Sequence, residues 1–402
     1  MTSDIRDIVA TVERRDAEQW EFLEHVVNLD SPSFEKELTD KVARTFAGRA
    51  EEFGFSVEYD PQTEHGDNVV ARLVPDVPED ERTGAILIVG HMDTVFGPGE
   101  TERRPFRREN GRAYGPGIFD MKTGIVVALY AVAAARDLAD VWRTPITCIF
   151  NSDEEPGSPR SRDVILREAP KHDLAFIMEP GTGTKEEPLL TVGRKGVGIL
   201  NVRVDGAPAH AGVEPELGIN SIVDMANRII DIASLADAAV GTSVTVGTAR
   251  GGTHPYVVPE TTEISIDSRV PTLDEQQRVL DGLEEIVAKE YVSGAKAVLS
   301  GGFHRPPFEP SETSLAVADQ LIRISRTIGY ELGTGSTGGA SDGNLTQSAG
   351  VPTVDGMGAH GAHAHSHLEY IEAESVPRKT ELLAAFLNEW NAGATRLPDA
   401  SA

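Results

Sequence analysis

Cysteine, lysine and aromatic residues are scarce in this chain of 402 residues, which has one Cys, nine Lys and 6% Phe, Trp and Tyr. The lone Cys148 excludes an intrachain disulfide. Its place in the apolar run Ile146 to Phe150 makes it a small core residue rather than a nucleophile or a thiolate ligand. Positive charge is short as well. Against 37 basic residues stand 64 acidic ones, a formal net charge of −27, so nucleic acid and anionic membrane surfaces are poor partners. The amino terminus has no basic segment followed by an apolar one, and no run reads as long as a membrane span; a cytoplasmic protein without membrane contact is expected. Nucleotide-binding glycine patterns are missing too. Tyr114-Gly-Pro-Gly is followed by Asp120 where a third glycine would be needed, and no Lys-Ser or Lys-Thr follows the glycines of Thr337-Gly-Gly-Ala-Ser-Asp342.

Hydrophobic residues make up 40% of the chain and charged residues 25%, as in a soluble globular protein; only the last few residues read as disordered. The length calls for two domains. The stretch Ala85 to Val95, AILIVGHMDTV, reads as a buried parallel strand with His91 and Asp93 just past its carboxyl end. Ligands and metals bind at that end of open α/β sheets. Residues two apart in extended chain face one side, so the imidazole and the carboxylate aim at one point. A loop in which Asp93 caps the next element explains this stretch alone equally well.

The rest of the chain supplies more such ends. Helices are expected near residues 4 to 28 and 35 to 53, and short strands at Phe55 to Tyr59 and Asn68 to Val74. Thr123 to Ala135 is an Ala-rich helix. Ile146 to Phe150 runs into Asn151-Ser-Asp-Glu-Glu155, and Leu174 to Met178 into Glu179. From about Lys195 the texture changes to alternating strands and amphipathic helices, among them Ile219 to Leu235 with Ile222, Val223, Ala226, Ile229 and Ile230 on one face. That order predicts an α+β sandwich inserted at 195–305 between two parts of one α/β domain, 1–194 and 306–402.

The candidate ligands are His91, Asp93, Asp120, Glu154, Glu155, Glu179 and one or more of His360, His363, His365 and His367. Imidazole with carboxylate and no thiolate suits zinc, with cobalt or manganese as alternatives. So many carboxylates exceed the need of one tetrahedral ion. Two ions about 3.5–4 Å apart, bridged by one carboxylate, would use them. Glu154 and Glu155 are adjacent and point to opposite faces in extended chain, so one can bind metal while the other serves as a base.

The segments GHMDTV (90–95), YGPGIFDMKTG (114–124), SDEEPGS (152–158), MEP (178–180), GAPAHAG (206–212) and HSHLEY (365–370) resemble the glutamate carboxypeptidase, acetylornithine deacetylase and succinyl-diaminopimelate desuccinylase family of dizinc metallopeptidases, in register from about residue 20 to 390. The resemblance implies a mixed, mostly parallel sheet flanked by helices, with an inserted ferredoxin-like lid and dimerisation domain. It assigns His91, Asp120 and Glu179 to one zinc ion and Asp120, Glu155 and His365 to the other. It further implies Glu154 as general base, Asp93 as the residue orienting His91, and a cis peptide after Asp120. His210 would donate to the substrate carbonyl or oxyanion. Arg269 would grip a free carboxylate, and the Gly338-Gly339 loop would present backbone amides to one. Tyr256 stands where many relatives carry a substrate-contacting asparagine, a departure that bears on specificity.

The expected activity is release of a carboxyl-terminal amino acid, glutamate first, from a small peptide or N-acyl substrate by metal-activated water. Two alternatives are an N-acyl amino acid deacylase and, from a different class, a non-catalytic metal-binding protein on the same scaffold. The latter requires loss of Glu154 or Asp120, and both are present. A homodimer is expected through the inserted domain, with Ser243 to Thr248 a natural strand edge for pairing.

Overall fold

Three apolar runs, Ile86–His91, Ile146–Asn151 and Leu174–Ile177, become adjacent parallel strands in which every residue is buried. The computed structural model that shows this describes residues 4–395; the expectation of disorder in the last few residues lies outside them. Thr353–Val354 extends the parallel part on one side. On the other side Asn68–Leu73 and Ser56–Asp60 add antiparallel strands, giving a mixed six-stranded sheet. Side chains alternate between two apolar layers. Ile86, Ile88, Cys148, Phe150 and Phe176 join the layer that includes Phe22 and Leu23 of helix Ile5–Val27, Ile125 and Leu129 of Thr123–Leu138, and Phe386 of Ser375–Asn391. Leu87, Val89, Ile149 and Ile177 meet Val164 and Ile165 of Ser161–Glu168 and Leu345 of Gly343–Ser348.

The helical stretch Ile118–Leu138 is, by length and composition, apolar enough to cross a membrane, contrary to the expectation that no run reaches that length. Its apolar window is 89% buried inside the protein, so its hydrophobicity serves the core.

The chain divides into two compact units. The one carrying the six-stranded sheet comprises residues up to Gly193, Pro310–Thr337 and Ser341 onward; the other comprises Arg194–Glu309 with Gly338–Ala340. Gly338 and Gly339 thus group with the inserted unit, where Arg194 Nη1 donates to the Gly339 carbonyl at 3.2 Å.

The inserted unit has the chain order strand, helix, strand, strand, helix, strand. Its sheet is antiparallel throughout, with Gly196–Asp205 and Thr261–Val270 central and Ser243–Gly251 and Lys296–Arg305 at the edges, a ferredoxin-like arrangement. Leu200, Val202, Ile264 and Ile266 pack against Met225, Ile232, Val279, Leu283 and Ile286 from its helices, Ser221–Ala233 and Leu273–Ala288.

The face of Ser221–Ala233 turned to the core differs from the expectation. Ser221, Asp224, Met225, Arg228 and Ile232 are buried and Ile229 is half-buried against the core, whereas Ile222, Val223, Ala226 and Ile230 are exposed, Ile230 by 69%. The reason is a buried ion pair. Arg228 Nε donates to Asp224 Oδ1 at 2.5 Å, and its other nitrogens donate to the carbonyls of Ile286, Val287 and Lys289, the end of the neighbouring helix. Fully partnered, the guanidinium fits an inward position that hydrophobic periodicity assigns to an aliphatic residue.

Gly124 opens the helix Thr123–Leu138 where a Cβ would stand 1.9 Å from the Met178 carbonyl oxygen. Gly124→Ala is therefore expected to destabilise the protein by about 1–3 kcal/mol through overpacking against backbone. Urea unfolding measures this, and a loss under about 0.5 kcal/mol contradicts the contact.

Candidate metal centre

His91 closes the strand Ile86–His91 and is almost wholly buried, so its ring has little freedom. Its Nε2 lies 3.0 Å from Asp120 Oδ1 and 3.9 Å from Glu179 Oε1. Its Nδ1 lies 3.0 Å from the Asp93 carbonyl oxygen and 3.4 Å from Asp93 Oδ1. His365 brings its Nε2 to 3.2 Å from Asp120 Oδ2 and 3.1 Å from Glu155 Oε2. Donor atoms of His91, Asp120 and Glu179 lie within 4.8 Å of one another, and so do those of Asp120, Glu155 and His365. Asp120 belongs to both groups, one oxygen to each imidazole.

These donors fit metal ions. Each group combines imidazole with carboxylate, and Glu155 Oε1 is buried with no hydrogen-bond partner, an oxygen that protein groups leave unsatisfied.

Backbone and neighbouring side chains fix each ligand. The segment Ile118–Lys122 is a wide turn broken by extended backbone at Asp120, where φ is −121° and ψ 97°, and its Asp120–Met121 peptide is cis, as expected from the resemblance. Gly117 has φ of 70°, and a Cβ there would stand 2.5 Å from Thr94, so glycine is required. Glu179 follows the strand Leu174–Ile177, and its carbonyl accepts from Gly358 N–H at 2.8 Å. Asp93, fully buried, accepts from Ser33 Oγ at 2.7 Å and from the amides of Glu154 and Glu155 at 3.2 Å each. One carboxylate thus supports the His91 ring and the backbone of the Glu154-Glu155 pair.

Neither Ser33 nor Glu369 emerges from the sequence as a site residue. Ser33 reads only as punctuation in Ser31-Pro32-Ser33, and Glu369 is carried unexplained within HSHLEY. His360 is a buried loop residue against Gly181, whereas His363 and His367 are exposed. The loop residue Asp342 is buried and accepts from Asn151 Nδ2 and Ser158 Oγ, both at 2.6 Å.

The five residues expected to contact substrate all belong to the inserted unit or group with it. His210 is exposed, its Nδ1 accepting from Gly212 N–H at 3.1 Å. Tyr256 is 59% exposed and stacks on His254. Arg269 donates through Nε and Nη2 to Asp267, the nearest oxygens at 3.0 and 2.9 Å. Gly338 and Gly339 are exposed.

Electrostatically the centre is a cage of opposed charges. Burial works against a charge on His91, but the Asp120 and Asp93 carboxylates outweigh it and raise its pKa well above the ordinary value. Hydrogen bonds to Asp120 and Glu155 push His365 up to about 10. Burial would raise Asp120, yet His365 and His91 hold it well below the usual carboxylate range, while burial lifts Glu155. Without an ion both imidazoles favour the protonated form, and binding of a metal would release those protons.

A mixed sheet with imidazole and carboxylate at its strand ends, presenting two ligand groups around one shared aspartate, defines a metal-dependent hydrolase. The profile of peptidase family M20/M25/M40 matches residues 87–389, and the chain belongs to that family. It is 28% identical to carboxypeptidase G2 of Pseudomonas sp. (strain RS-16), over 92% of this chain and 89% of that protein. It is 25% identical to succinyl-diaminopimelate desuccinylase of Psychrobacter sp. (strain PRwf-1), over 76% and 79%. Among solved structures, aminopeptidase PepT from Bacillus cereus ATCC 10987 superposes with a TM-score of 0.75 at 22% identity, covering 92% of this chain and 98% of that one.

The raised pKa of His365 sets a pH dependence for protein stripped of metal by a chelator. A group whose folded pKa exceeds its unfolded value, here about 10 against 6.5, stabilises fully below 6.5 and loses that contribution as pH rises through about 10. The parent should lose melting temperature across that window relative to His365→Ala. The difference is small, because the His365 side chain is 53% exposed and solvent screens its pairs. Parallel melting curves for parent and variant from pH 6 to 10 would contradict the assignment.

Proposed function

We propose that the protein is a zinc-dependent exopeptidase that releases a carboxyl-terminal amino acid, glutamate first, from a peptidyl or N-acyl group. The observation that carries this reading is the sharing of Asp120 by two ligand groups. The substrate class is supported by the likeness to carboxypeptidase G2 along nearly the whole of both chains.

In this reading His91, Asp120 and Glu179 hold one ion, and Asp120, Glu155 and His365 the other. Such a pair supplies an electrophile for the amide carbonyl and lowers the pKa of water. Glu154 takes a proton from the attacking water and returns it to the leaving nitrogen. Asp93 keeps the His91 ring in one orientation and tautomer, since a carboxylate and a carbonyl both stand at Nδ1. By motif position, His210 donates to the tetrahedral oxyanion, and Arg269 and the amides of Gly338 and Gly339 serve the substrate carboxylate. Arg269 Nη1 is not used by Asp267 and is the donor for that role. Tyr256, where many relatives carry asparagine, bears on which substrate is preferred.

A second reading is favoured by the likeness to succinyl-diaminopimelate desuccinylase, namely deacylation of an N-acyl amino acid at the same centre. Zinc-loaded protein assayed on N-acyl-glutamate, acetylornithine, succinyl-diaminopimelate and dipeptides, with a chelated control, separates the two. The expected result is hydrolysis of N-acyl-glutamate. Preference for acetylornithine or succinyl-diaminopimelate establishes the second reading, and no turnover of any of them overturns both. Glu154→Ala should retain about two metal ions per chain. It should lose about 10²- to 10⁴-fold in kcat. Activity within about tenfold of the parent would remove Glu154 from the role of base.

Two chains pair through the inserted unit. Support comes from the exposed face of Ile222, Val223, Ala226 and Ile230 and from the edge strand Ser243–Gly251, whose outer part is solvent-exposed. Light scattering should report a dimer for the parent and a monomer for Ile230→Glu. A monomeric parent rejects the pairing.

A further inference from the structure

We infer that Glu369 is a positioning residue for the bridging ligand Asp120, tying the Asp120 turn to the loop that carries His365; the inference rests on the metal reading above. Glu369 is 1% exposed and belongs to neither ligand group. Its Oε1 accepts from the amides of Phe119 at 2.8 Å and Asp120 at 3.1 Å, and its Oε2 accepts from Gly117 N–H at 3.0 Å. Both oxygens of one carboxylate are thus spent on the backbone that aims Asp120. Glu369 is also four residues past His365 and directly precedes the strand Tyr370–Glu372, which pairs antiparallel with Arg112–Tyr114, the strand entering the Asp120 turn. Two segments about 250 residues apart meet at this side chain, one bringing the shared ligand and the other the second imidazole.

A carboxylate suits the position for a chemical reason. It offers acceptors only, whereas an amide would place its NH₂ against an N–H donor on one side. Glu369→Gln therefore frees part of the turn while keeping the size of the side chain. Because Asp120 serves both ligand groups, its misplacement should weaken both ions rather than one. Loss of such an outer partner lowers metal affinity by about 10- to 100-fold.

The test titrates chelator-stripped full-length protein with Co²⁺ alone, reading the visible absorption of the bound ion, for the parent, Glu369→Gln and Glu372→Gln. Glu372 lies on the same short strand and pairs with Arg112 and Lys185, so it controls for general damage. The expected result is two cobalt ions for the parent and for Glu372→Gln, with both bound about 10- to 100-fold more weakly by Glu369→Gln and a shifted absorption band. In zinc-loaded enzyme, kcat should fall with KM changed by less than about threefold, the split expected when positioning of the reacting groups is lost. A parent that binds no cobalt overturns the metal reading and this inference with it. Two ions in the parent, together with an unchanged titration and spectrum in Glu369→Gln, overturn the role of Glu369 alone. Should Glu369→Gln fail to fold, hydrogen exchange in the parent decides. The amides of Gly117, Phe119 and Asp120 are expected to be protected in stripped protein, and exchange at the rate of free peptide overturns the proposal.

Discussion

Asp120 offers one oxygen to His91 and the other to His365, and a carboxylate so placed cannot move toward one imidazole without leaving the other. That constraint organises the larger unit. The turn bearing Asp120 needs Gly117 at positive φ beside Thr94, and its amides are held by Glu369. At its far end the buried Lys122 reaches the Leu29 carbonyl at 2.6 Å. A buried carboxylate costs several kcal/mol unless opposed by charge. Here the two imidazoles oppose it, as a bound cation would, so the carboxylates are balanced only while both histidines face inward.

The sheet explains why so few strands suffice. Three parallel strands, each buried along its length, end within reach of one point, and each then delivers a polar residue: His91, the Glu154-Glu155 pair and Glu179. Asp93 links two of these ends, since it supports His91 and accepts the amides of Glu154 and Glu155. Gly124 allows the helix after Asp120 to approach the backbone before Glu179. The ligand positions are thus set by the strand ends and by a small number of side chain to backbone hydrogen bonds, and less by the ligands' own rotamers.

Much of this was legible in the sequence, for identifiable reasons. Continuous apolar runs closed by polar residues announce strand ends and so mark His91, the Glu154-Glu155 pair and Glu179 as candidates, whereas the choice of Glu155, of Asp120 as bridge and of His365 among four histidines rests on the family resemblance. Ser33 and Glu369 were marked by neither, because they act on backbone or on another carboxylate through contacts remote in sequence, and nothing in local composition marks a carboxylate that will accept three amides. The helix Ser221–Ala233 shows a different failure. Its aliphatic periodicity correctly located a face, but the face that packs on the sheet is the one carrying Asp224 and Arg228, since a fully hydrogen-bonded guanidinium at the end of the neighbouring helix satisfies burial. Periodicity identifies that a helix has sides; which side is inward depends on partners elsewhere in the chain.

The residues expected to choose the substrate sit on different ground from those expected to hold metal. Of the expected ligands, His91 and Glu179 are buried and Asp120 and Glu155 are partly buried, held by packing and hydrogen bonds, whereas His365 is exposed. His210, Tyr256, Gly338 and Gly339 are exposed, on turns and short loops where substitution costs little stability. In the proposed reading, a centre held mainly by the core, with substrate contacts on exposed turns, lets one scaffold accept different amides without rebuilding its chemistry. In that reading Arg269, whose Nε and Nη2 already donate to Asp267, offers a substrate carboxylate the end of the guanidinium that carries Nη1, which restricts how that carboxylate approaches more than which side chain accompanies it.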